Sequence, residues 1–218
     1  MISTARPLAA APFALLLLAL GGCAHRGEID ESGGITAVRT ACPTVGVPAG
    51  AGDVTLFDPP ASRDATALDV VAAMTNVRGN CGNQGGDQVV TSVGFTVEAR
   101  RYRTEGARDV TLPYFISVVQ GGTKVAAKRV GQVTLHFDAG QPRAQATATA
   151  TASVARAAAT LPDKVRRRIT QRRKAGEEDA AIDPLSVPEV KKAVLNATFE
   201  ALVGFQLTDE QLKYNATR

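Results

Sequence analysis

Val89-Val90-Thr91-Ser92-Val93-Gly94-Phe95-Thr96-Val97-Glu98-Ala99-Arg100 is the stretch on which the fold turns. Val89, Thr91, Val93, Phe95, Val97 and Ala99 share one face of an extended chain, and Val90, Ser92, Gly94, Thr96, Glu98 and Arg100 share the other. Successive strand side chains point to opposite faces, so this alternation predicts a half-buried strand. The charged run Arg100-Arg101-Tyr102-Arg103 ends it.

Strand signals continue on both sides. Upstream, Asp53-Val54-Thr55-Leu56-Phe57 reads as a short strand stopped by Asp58-Pro59-Pro60. Leu68 to Val77 is β-rich and ends in Arg78-Gly79-Asn80-Cys81, before a glycine-containing turn. Downstream, Thr111 to Gln120 and Thr123 to Phe137 flank Gly121-Gly122, a tight-hairpin signal. Pro113 is expected at an edge or a strand start, because it has no ladder donor. In Ala146-Thr147-Ala148-Thr149-Ala150-Thr151-Ala152 the alternating threonines favour a strand with a small-residue inner face. The chain therefore reads as mainly β, an antiparallel β-sandwich over residues 41–160, with an immunoglobulin- or fibronectin-like form preferred. There is no tryptophan, so the core residue of antibody-type domains is missing.

Residues 161–218 change character. Asp163 can cap a basic helix from Lys164 to Lys174, closed by Gly176, after which Glu177-Glu178-Asp179 reverses the sign. Ser186-Val187-Pro188-Glu189 reads as a capping box opening a helix from Val190 to Val203, with Val190, Val194, Leu195, Thr198, Phe199 and Leu202 as its apolar stripe. Thr208-Asp209-Glu210-Gln211 opens a short last helix carrying Leu212 and Tyr214. These helices are expected to dock on the sandwich.

At the other end, Arg6 precedes a 13-residue apolar segment, Leu8 to Leu20, then Gly21, Gly22 and Cys23. A bilayer-spanning helix takes about 20 apolar residues, so this run matches the apolar part of a cleavable secretory signal. Leu20-Gly21-Gly22-Cys23 resembles the lipobox of bacterial lipoproteins, with Gly21 where alanine, serine or threonine is more usual. The resemblance covers residues 1–23. It implies that residues 1–22 are a signal peptide and that Cys23 is the lipidated first residue of the mature chain. It implies a membrane partner through that lipid and, with Ala24 rather than aspartate next, the periplasmic face of the outer membrane. Residues 23–40 are polar and glycine-containing and read as a flexible tether.

Removing 22 residues leaves 218 − 22 = 196, enough for one sizeable domain with a real core. The whole chain carries a net charge of +4. That is mildly basic, and together with export it argues against nucleic acid as a partner. With Cys23 lipidated, Cys42 and Cys81 remain, read as one disulfide in an oxidising compartment or as two unpaired thiols.

Catalytic signals are sparse. His136, in Leu135-His136-Phe137, is the one histidine outside the tether, and it reads as a strand histidine, structural or solvent-facing. No nucleophile elbow, zinc-protease or phosphate-loop motif stands in a strand–helix context. The carboxylate pairs Glu98 with Glu105 and Glu177 with Asp179 show no sign of a cleft. No cofactor or metal set is expected, since there is no CxxC and only two histidines. The surface feature that could bind is the basic helix: Lys164, Arg166, Arg167, Arg168, Arg172, Arg173 and Lys174 place seven cations within eleven residues. It could grip anionic lipid or an anionic envelope polymer, or it is a solvated face neutralised by the acidic run after it. The expected role is that of a non-enzymatic envelope component, structural or binding, with an envelope protein as a possible partner; a hydrolase of unrecognised type is the remaining alternative.

Overall fold

The computed structural model describes residues 40–82, 86–171, 176 and 182–217. The protein is mainly β. One four-stranded sheet runs in the order β1 (Thr44–Gly46), β8 (Phe199–Phe205), β5 (Arg108–Gln120) and β6 (Lys124–Phe137). The other runs β2 (Asp53–Phe57), β3 (Leu68–Gly82), β4 (Gln88–Arg101) and β7 (Arg143–Ala155). All pairings are antiparallel except β1 with β8, which is parallel.

The alternation that predicted β4 is also what fills the core. Val89, Thr91, Val93, Phe95, Val97 and Ala99 are all buried. All but Thr91 meet Val110, Leu112, Ile116, Val133, Leu135 and Phe137 of the opposite sheet in one cluster. Phe95 of β4 and Tyr114 of β5 pack edge to face across the sheets at 5.0 Å. Tyr114 in turn lies where a side chain on Gly131 of β6 would stand, so any larger residue there would have to displace the ring. The alanines of β7 face inward and its threonines outward, as the Ala-Thr alternation predicts.

The hairpin falls where Gly121-Gly122 places it. Both glycines have positive φ (62° and 78°), the combination that matches strand twist in a two-residue turn. Pro113 lies within β5, at neither an edge nor a strand start. Its carbonyl accepts the Gln206 N–H at 2.9 Å, just past the end of β8. The donor it lacks therefore points where the neighbouring strand has stopped.

Three sequence expectations are corrected. β3 continues through Arg78-Gly79-Asn80-Cys81 to Gly82, because the register shift between Thr75 and Arg78 is a bulge and not an end. Asn76 takes φ 51° at that bulge, a conformation asparagine tolerates better than most residues. The expected helix Val190–Val203 splits into α2 (Pro188–Ala197) and strand β8. Phe199, Ala201, Val203 and Phe205 are each 7% exposed or less. Period-two burial of all four on one side is possible only for a strand, and the sandwich thus takes its β8 from beyond residue 160. The Ser186 box does not form either. Val187 is the residue before α2, and the Ser186 hydroxyl instead donates to the Asp183 carbonyl at 2.7 Å. The Thr208–Gln211 box does form. Thr208 N–H donates to Gln211 Oε1 (2.9 Å) and Gln211 N–H to Thr208 Oγ1 (3.3 Å), opening α3 (Asp209–Thr217). Asn215 of α3 donates to the Gly50 and Asp53 carbonyls, both at 2.8 Å, and Tyr214 packs on Phe57.

Candidate functional site

The basic segment forms α1 (Asp163–Thr170), after which Gln171 is extended. The expected helix to Lys174 thus ends early. Asp163 is the first helical residue rather than the cap, with Pro162 before it. Its carboxylate still favours the helix start through the dipole, and it pairs with Arg166 at 2.6 Å.

Apolar residues one turn apart fix the orientation of α1. Ile169 is buried and Val165 half-buried, packing with Val190 and Val194 of α2 and with Leu161, Leu185 and Val187. This is a second, smaller core beside that of the sandwich. Lys164, Arg167 and Arg168, at i, i+3 and i+4, share one flank away from it and are exposed. Among the described residues, none of the three has a carboxylate within ion-pair distance. The geometry is that of a small cationic face on an anchored helix. Arg172, Arg173 and Lys174 lie outside the described residues, and so does Cys23.

Cys42 and Cys81 form a disulfide. It joins the residues leading into β1 to the far end of β3, tying the start of the described chain to the opposite sheet.

His136 is solvent-facing on the outer side of β6 and does not stand alone. Its Nδ1 lies 2.6 Å from Asp109 Oδ1 on β5, and its Nε2 3.3 Å from Asp138 Oδ1. The hydrogen bond and charge of Asp109, with a smaller contribution from Asp138, raise its pKa above the ordinary histidine value of about 6.5. An imidazolium between two carboxylates donates from both nitrogens and keeps no lone pair for general-base work. Asp109 was not legible as its partner, because the pairing of residues 109 and 136 depends on the β5–β6 register. The carboxylates Glu98 and Glu105 do not share an element: one sits mid-strand in β4, the other in the connection to β5.

The sign of the His136 effect is fixed. A raised folded-state pKa gives stabilisation that is complete below the unfolded value and is lost as pH rises through the folded value. We expect a His136 titration midpoint above 6.5 by NMR and a return towards 6.5 in Asp109→Asn. An unchanged midpoint in that variant would show that Asp109 does not hold the ring in solution.

No protein-family model, curated protein or solved structure matches this chain.

Proposed function

We propose that the protein is a lipid-anchored component of the bacterial cell envelope, held by Cys23 at the periplasmic face of the outer membrane, with a binding or structural role and no catalysis. The observation that carries this reading is Leu20-Gly21-Gly22-Cys23 after a short apolar run. The Cys42–Cys81 bond agrees with an oxidising compartment. It also fastens the folded body 42 − 23 = 19 positions after the lipid site. Two or more acyl chains hold stably where one does not, so a triacylated Cys23 is a lasting anchor. The immunoglobulin- or fibronectin-like form belongs to the same proposal. Two four-stranded sheets over one core support it, and it names no partner.

Cys23→Ser tests the anchor in cells. We expect the variant to stay unprocessed and to lose palmitate labelling. Normal processing with unchanged membrane attachment would sink the proposal.

The exposed cationic flank of α1, without a carboxylate partner among the described residues, favours a second reading, that this helix grips an anionic surface, either lipid or envelope polymer. Each basic residue near an anionic membrane contributes about 1 kcal/mol. Reversing Lys164, Arg167 and Arg168 to glutamate is expected to lower binding to phosphatidylglycerol-containing vesicles about a hundredfold or more at low salt. Binding that is insensitive both to these changes and to salt would remove the helix from the account.

A further inference from the structure

Each sheet has two edges, and three of the four edge strands carry a recognisable guard against pairing with another chain. β1 is three residues long. β2 is five, and α3 lies against it through Asn215 on the Asp53 carbonyl and Tyr214 on Phe57. β6 carries Lys124, Lys128 and Arg129 along its exposed first half. Among the described residues, β7 has none of these devices. It runs for 13 residues, has no charged or proline residue from Ala144 to Ala155, and pairs with β4 without a register shift.

The direction of its free groups follows from two hydrogen bonds. Arg101 N–H donates to the Pro142 carbonyl and Arg156 N–H to the Asp87 carbonyl, both at 2.8 Å, so even-numbered residues face β4. In an antiparallel pair the N–H and C=O of one residue point the same way and alternate along the strand. Gln145, Thr147, Thr149, Thr151 and Ser153 therefore aim their backbone groups outward, away from the sheet. Their side chains are exposed on its outer face.

We infer that this edge is a self-association site, at which a second copy of the chain pairs antiparallel with β7 about a twofold axis at Thr149. Residues 143 and 155 are equidistant from Thr149, so this axis pairs the whole strand, whereas a two-residue slip leaves ends unpaired. Thr149 then stands opposite Thr149 of the second copy, Thr147 opposite Thr151, and Gln145 opposite Ser153. All of these carry outward-facing backbone groups, so each pair exchanges two hydrogen bonds. Threonine meets threonine on the outer face and alanine meets alanine on the inner one. Arg143 falls opposite Ala155, so no like charges face each other. An isologous interface needs this self-complementarity, and the Ala-Thr alternation supplies it in either direction. The result is a continuous eight-stranded sheet, within the size open sheets reach. One strand pair is a small interface beside the roughly 1,200–2,000 Å² of stable complexes, so a dissociation constant on the order of 10–100 μM is expected.

Two matched double variants test both the edge and its register, measured by sedimentation velocity on the full chain in mild detergent from about 1 to 200 μM. Both substituted side chains are solvent-facing, so the monomer's packing is untouched. Thr147→Lys with Thr151→Lys sets lysine against lysine twice across the axis and is expected to weaken dimerisation about tenfold. Thr147→Glu with Thr151→Lys sets opposite charges together and is expected to keep the wild-type affinity or better. A monomer at every concentration, including one whose edge is occupied by its own residues 23–39, would overturn the inference. So would a dimer that both variants weaken equally, or that neither weakens.

Discussion

Replacing Arg101 by methionine is expected to cost about 3–5 kcal/mol, a third or more of the stability of an ordinary domain. The side chain closes β4 yet is only 2% exposed. Its guanidinium lies 5.2 Å from the centre of the Phe137 ring and donates to four backbone carbonyls. Nε reaches Gln141 at 2.9 Å, one terminal nitrogen reaches Gly106 at 2.5 Å, and the other reaches Asp138 at 2.6 Å and Thr104 at 3.3 Å. These carbonyls belong to two connections, β4 to β5 and β6 to β7, so one side chain closes both at the same corner of the sandwich. Methionine keeps the volume over Phe137 but takes the side-chain donor from the Gln141 and Gly106 carbonyls, each costing about 1–3 kcal/mol where water cannot replace it, while the Thr104 and Asp138 carbonyls keep the Gly140 and Gln141 N–H donors. Lysine keeps the charge but not the fork, since a point-like ammonium cannot span acceptors on both sides. Arg101→Lys should therefore recover less than half of the loss. Urea midpoints of the two variants check this. A loss below about 1 kcal/mol for methionine would mean that water takes over the corner.

Arg101 also marks what could be read from the chain and what could not. β4 and β7 were legible because period-two alternation is a local signal, and in both strands every residue of one face is less exposed than its neighbours on the other. From the same local view, Arg100-Arg101-Tyr102-Arg103 is only a charged strand end. That Arg101 turns inward while Arg100 stays exposed follows from the side on which the pleat leaves it, and from carbonyls up to 40 residues away. The misread helix has a related cause. Val190, Val194, Leu195, Thr198, Phe199 and Leu202 fit a helical stripe, while Phe199, Ala201, Val203 and Phe205 fit a strand equally well. The second pattern wins because β5 offers β8 a partner from Tyr114 to Gln120, a long-range fact. At the surface, the cations of α1 were legible by type. Which of them lack a carboxylate partner among the described residues depended on helix phase and on Asp163 reaching Arg166.

The Cys42–Cys81 bond is the second large contributor, and its loss should show an order of events as well as a magnitude. The cysteines are 39 residues apart, for which loop-closure entropy in the unfolded chain corresponds to about 4 kcal/mol. In the folded chain, Cys42 leads into a strand with only three ladder residues, Thr44, Val45 and Gly46, paired with Glu200, Ala201 and Leu202. Such a short parallel strand has little hold of its own. Val45 adds one contact, filling the place where Gly79 of β3 has no side chain. Cys42→Ser with Cys81→Ser is therefore expected to lower stability by about 3–4 kcal/mol. Amide exchange should rise first at residues 44–46 and 80–82, while β4 and β7 keep their protection until global unfolding. The double variant is the informative one, because a single serine leaves a free thiol that can react elsewhere. If its denaturation midpoint matches the wild type and residues 44–46 remain protected, then Val45 against Gly79, and not the covalent bond, is what holds β1 in place.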